Sequence, residues 1–175
     1  MQKKGVGGVD FVDKAIITLT QSGANALTFE QLHFGLSIKD KYGLIIRKIE
    51  FAIAQGTVSL MTATADAVSC ALVRSNTITD LSLSQPQVID RADFVRMDFG
   101  TAGSAQFWES PPLVRDFTNM PGGGLIVPPD PIYVAMDSSG LASAGTLTTR
   151  IFYNLAQLKP EEYWQLVESM NIITA

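Results

Sequence analysis

Two single residues, a few aspartates and one glycine run set the chemistry open to this chain. His33 is its one histidine and Cys70 its one cysteine. A Ser/His or Cys/His nucleophilic pair would have to use His33. In LTFEQLHFGL a strand alternation puts His33 on the side of Leu27, Phe29 and Gln31, so a structural or surface place is expected for it. Cys70 sits in the apolar run AVSCALV and reads as a small core residue. One thiol cannot close an internal disulfide, and one histidine with one cysteine falls short of the roughly three or four N/S ligands of a zinc site. Asp90, Asp93 and Asp130 are the carboxylates best placed by type to meet a calcium ion. The chain has no EF-hand ligand loop, and acidic turn residues commonly serve local hydrogen bonds. Gly122-Gly123-Gly124 lacks the lysine and the strand-to-helix setting of a phosphate loop, so it reads as a hinge or loop. No catalytic set, metal or cofactor is expected, and the chain does not read as an enzyme.

The elements that position these residues follow from composition and periodicity. The 175 residues are 46% hydrophobic and 17% charged, against about 25% charged in an average soluble domain. That excludes a disordered chain. Thirteen Lys+Arg face 17 Asp+Glu, for a net charge of −4. The longest basic cluster is Lys3 and Lys4, so direct nucleic-acid binding is not expected. MQKKGVGGVDF has no apolar signal-peptide core, and no apolar run nears the roughly 18 residues of a membrane span. A soluble protein made in a reducing compartment is expected.

Period-two alternation recurs. Ile49, Phe51 and Ile53 form one set; Val95, Met97 and Phe99 a second; Ile132, Val134 and Met136 a third; Leu147, Thr149, Ile151, Tyr153 and Leu155 a fourth. Less regular strands are expected at residues 15–20, 27–34, 58–64, 68–74 and 113–117. Turn chemistry falls at residues 22–25, 40–43, 55–56, 75–76, 100–103 and 137–140. The count of about eight or nine strands fits an antiparallel sandwich or barrel. Pro160, then Glu161 and Glu162, then Tyr163, Trp164, Leu166, Val167 and Met170 predict a short amphipathic helix over residues 160–170.

The last third of the chain carries a family likeness. GGGLIVPPDPIYVAMD leads into the small-residue hairpin SSGLASAG, the long strand TLTTRIFYNLAQL and the helix KPEEYWQLVESM. This order of strands and loops resembles the closing portion of a single jelly-roll capsid protein of an icosahedral virus. The short chain is similar to the small vertical single jelly-roll major capsid proteins of membrane-containing viruses. The resemblance implies an all-β, antiparallel, eight-stranded jelly-roll β-sandwich over residues 13–158. A flexible N-terminal arm would precede it at residues 1–12, and a short C-terminal α-helix and tail would follow at residues 159–175. It implies a virion protein made in the host cytoplasm, forming homo-oligomeric capsomers or hetero-oligomers with a second capsid protein. The arm lacks the arginines that neutralise a packaged genome, so either the genome is not contacted directly, as with an internal virion membrane, or another protein does that work.

Low charge fits assembly, because interface cores are depleted in charge and enriched in aromatics. The expected inter-subunit anchors are Phe107 and Trp108 in the loop and Tyr163 and Trp164 in the helix; burial of the helix pair within one subunit is an equal reading. The loops at residues 100–112 and 120–131 hold only Glu109 and Asp130 as charges. Two other readings stay open. One is a carbohydrate-binding β-sandwich, lectin-like or from a virus spike. The other is a cupin-like enzyme, against which the single histidine argues.

Overall fold

The computed structural model describes residues 12–35, 41–59, 65–97, 112–129 and 131–171. Their elements run β1 (Asp13–Thr20), β2 (Thr28–Leu32), β3 (Tyr42–Ile53), α1 (Gln55–Ser59), β4 (Ala65–Val73), β5 (Val88–Met97), β6 (Leu113–Asp116), β7 (Leu125–Val127), β8 (Ile132–Ser139), β9 (Thr146–Gln157) and α2 (Pro160–Asn171). The strands build two antiparallel sheets. The first has the order β1-β9-β3-β6, with β7 also paired to β3; the second has the order β2-β8-β4-β5. The chain is an all-β sandwich with a short C-terminal helix.

The pairing is nested from the outside in. β1 pairs with β9, β2 with β8, β3 with β6 and β7, and β4 with β5. Successive pairs alternate between the sheets. The chain therefore runs like one long hairpin, with its tip between β4 and β5, folded over on itself.

Alternation explains the core. On β9, Leu147, Thr149 and Ile151 are buried, and on β8, Ile132, Val134 and Met136 are buried. Thr149 apart, they meet Val68, Cys70 and Leu72 of β4, Phe94 of β5 and Phe51 of β3 in one apolar cluster. Each Val, Leu, Ile, Phe or Met side chain among them contributes about 1.5–3 kcal/mol on burial.

β3 changes phase along its length. Leu44 and Ile46 point inward, and then Ile49 and Phe51 do. The switch falls at Arg47, where the β3–β9 register slips between Ile46 and Lys48. One extra residue in a strand flips every side chain beyond it. The turn expected at residues 40–43 is corrected for this reason: Tyr42 and Gly43 already belong to β3, whose first half is out of phase with the pattern at residues 49–53.

Three other expectations change. Val95 was expected on a core face, yet it is 57% exposed, while Ala92 and Phe94 are buried. The register sets Phe94 opposite Val68 and Ala92 opposite Cys70, so the even residues of β5 face the core. The strand expected at residues 58–64 begins as α1. Here Thr57 Oγ1 donates to the Thr146 carbonyl and accepts from the Thr146 amide, fastening a helical turn to the start of β9. The turn expected at residues 137–140 starts late, since β8 runs to Ser139 and the positive φ of 87° belongs to Gly140. Residues 60–64, Phe99 and the turn at residues 100–103 lie outside the described residues, as does the expected arm apart from Val12.

α2 forms where its signals put it. The Lys159 amide donates to Glu162 Oε2 at 2.9 Å, half of a capping box. Just before it, Leu158 lies over Gly43 on the outer side of the first sheet. A Cβ on that glycine would come 3.0 Å from Leu158 Cδ1 and 3.4 Å from Ile126 Cγ2.

Candidate assembly surface

The residues singled out for chemistry are separated by the fold. His33 stands one residue past β2 and is exposed. Cys70 is completely buried in β4, and burial, with the nearby Asp93 charge adding to it, pushes its thiol far up. A buried neutral thiol is a poor nucleophile. Asp90 and Asp93 are three apart on β5, so they point to opposite faces and cannot share an ion. Asp90 takes a two-pronged bond from Arg115, with Nε 3.0 Å from Oδ2 and Nη2 3.0 Å from Oδ1. Asp93 accepts from Ser69 Oγ at 2.6 Å and pairs with Arg91. Asp130 lies outside the described residues. Among the described residues no three metal-ligating side chains gather.

The glycine run has a structural task. Gly122 and Gly123 adopt φ of 83° and 72°, a region that costs glycine nothing. Arg47, the bulge residue, donates from Nη1 to the Gly123 carbonyl and from Nε to Asn154 Oδ1 at 2.8 Å. At Gly124 a Cβ would fall 2.6 Å from Ile45 Cγ2 and 2.7 Å from the Ile46 carbonyl oxygen. The Arg47 carbonyl accepts from the Phe117 amide at 2.8 Å. The bulge thus marks where the chain leaves β3 after β6 and returns to it as β7.

The expected anchor pairs part company. Phe107 and Trp108 lie outside the described residues. In α2, Tyr163 is 2% exposed and Trp164 is 54% exposed, with the rings edge to face at 5.9 Å. Neighbours on a helix point about 100° apart, so one ring packs within the subunit and the other faces out.

A surface that the sequence did not reveal lies on the outer side of the first sheet. Ile16, Arg150, Glu50 and Val114 form one cross-strand row; Lys14, Phe152, Lys48 and Asp116 form the next. Ile16 and Val114 are both more than half exposed. Between them Lys48 Nζ lies 2.7 Å from Glu50 Oε1 and 4.4 Å from the centre of the Phe152 ring. Arg150 Nη1 reaches the other Glu50 oxygen at 3.4 Å. The Lys48 hydrogen bond, with the charges of Lys48 and Arg150 adding to it, holds the Glu50 carboxyl below its ordinary range. The face thus sets two exposed apolar side chains at the ends of a row of paired charges. The only signal in sequence was a β-branched pair, Ile16 and Ile17, on consecutive strand positions, which forces one of the two outward.

The chain matches no protein-family model and no curated protein sequence.

Proposed function

We propose that the chain is a structural protein, a jelly-roll capsid subunit that self-assembles into capsomers of an icosahedral shell. The observation that carries the reading is the nested strand order. With β6 and β7 taken as two halves of one strand, the described residues make eight strand positions, paired first with last and alternating between two sheets. This order supports the jelly-roll reading, in which a wrapped chain holds two Greek keys. A fold alone defines no function. The turn toward assembly comes from the first sheet, whose outer face keeps Ile16, Val114 and Ile126 exposed beside paired charges. On this reading the protein resides in the virion, and its partners are further copies of itself, with or without a second capsid protein.

Size-exclusion chromatography with light scattering tests it. Pentamers, hexamers or closed shells are expected, the last visible by negative-stain microscopy. A stable monomer at high protein concentration would overturn the proposal.

A further inference from the structure

A sandwich of two open sheets has four edges, and this one treats them unequally. The β6/β7 edge is broken into strands of four and three residues. The β2 edge has five residues. The β5 edge carries Arg91 and Asp93, opposes a register slip at Leu72/Val73, and is crossed by the bridge from Arg115 to Asp90. Short strands, charges and irregular pairing are the devices by which proteins blunt an edge. β1 lacks most of them. It has eight residues, pairs with β9 without a register slip, and pairs with no other described strand. Its two charges, Asp13 and Lys14, both sit at its start, and Ile16 is 54% exposed near its middle.

We propose that β1 is an assembly edge, pairing antiparallel with β1 of a second copy about a twofold axis through Ile16. This register is the longest within residues 12–20 and keeps like charges apart. Residues 12–20 are symmetric about position 16, so Val12 faces Thr20, Lys14 faces Thr18, and Ile16 faces its own copy. No like charges oppose one another, and the exposed isoleucines form a cross-strand apolar pair. Centring on Lys14 would set lysine against lysine, which destabilises a sheet. Centring on Ala15 would set Lys14 against Ile16 and Asp13 against Ile17. Centring on Thr18 would shorten the contact to residues 16–20. The twofold is isologous, and it joins two first sheets into one continuous sheet.

The inference rests on the assembly reading, and the experiment separates the two. In Ile16→Cys the new thiols face each other across the axis. Opposed residues in an antiparallel pair have Cα atoms about 4.5–5.5 Å apart, within disulfide reach. Cys70 is buried and does not compete. Mild oxidation of Ile16→Cys is expected to give a covalent dimer, while the equally exposed Val95→Cys and Val114→Cys stay uncrosslinked. Ile16→Lys is expected to weaken association by roughly fivefold or more, read by sedimentation. Crosslinking of Ile16→Cys no greater than that of Val95→Cys overturns the inference. If shells form without that crosslink, the edge is wrong and the capsid reading stands. If the crosslinked dimer is the largest species, the edge is right and the shell fails.

Discussion

The outer faces of the two sheets carry similar apolar side chains and dispose of them in opposite ways. On the second sheet, Ala71, Val73 and Ala135 are fully buried beneath the connection between β4 and β5, residues 74–87, which lays Ile78 and Leu81 over them. Leu27, Phe29 and Tyr133 close the patch. Arg91 of β5 donates from Nη1 to the Leu81 carbonyl at 3.0 Å, and Asp80 accepts from the Ser82 amide at 2.7 Å, so the covering loop is held by β5 and by its own polar groups. On the first sheet nothing comparable covers Ile16 and Val114 among the described residues. One face adds to the stability of the single chain, and the other leaves Ile16 and Val114 exposed.

The largest expected effect tests that division directly. Leu81 is 2% exposed although it sits in a loop. Leu81→Ala is expected to lower unfolding stability by about 2–4 kcal/mol, as a core deletion does. Val114→Ala on the open face is expected to stay within about 0.5 kcal/mol. Urea unfolding at low protein concentration measures both. Equal losses would mean that the two faces are not used differently.

The comparison also shows how much was readable beforehand. The faces of β8 and β9 were legible because their apolar residues keep strict alternation. β3 was half legible, since the bulge at Arg47 changes the phase between Ile46 and Ile49 and no local signal marks it. In β5, Phe94 and Val95 are adjacent and both apolar; which one enters the core depends on the pairing of Val68 with Phe94, a contact between distant segments. Leu81 lies among Ser, Thr and Asp, so its stretch read only as a connection. The proposed assembly surface was hidden for the same reason: Ile16 looks like any strand isoleucine until β1 is seen to be an edge. The helix pair was legible as a pair, but the split between Tyr163 and Trp164 required knowing which helix face meets the sandwich.

An intermediate effect is expected at the seam where the two sheets come together. Arg115 of β6 reaches across to Asp90 of β5, whose side chain is 8% exposed. Arg115→Ala leaves that carboxylate buried without its partner, and a loss of about 1–3 kcal/mol is expected. Arg115→Lys is expected to recover only part, because an ammonium cannot reproduce the two-pronged guanidinium contact. Full recovery by lysine, seen in the same urea titration, would show that charge alone holds the seam.

The smallest effect belongs to the open face and shows in shape rather than size. Glu50 has its folded pKa depressed by Lys48 and Arg150. A depressed carboxylate contributes stability above its unfolded pKa and loses it as pH falls through the folded value. The loss therefore begins near the ordinary carboxylate range and finishes below it. Because the bridge faces solvent, its contribution is a few tenths of a kcal/mol. Glu50→Gln is expected to flatten the acid limb of the stability profile by about that amount. Salt of about 1 M, where charges are screened beyond roughly 3 Å, is expected to have only part of that effect on the unaltered chain, because Lys48 lies 2.7 Å from Glu50. Leu81→Ala should instead lower the whole profile without changing its slope, because no proton is taken up or lost where it acts. If Glu50→Gln shifts the profile uniformly, the charge row is packing rather than electrostatics, and the two outer faces differ less than their chemistry implies.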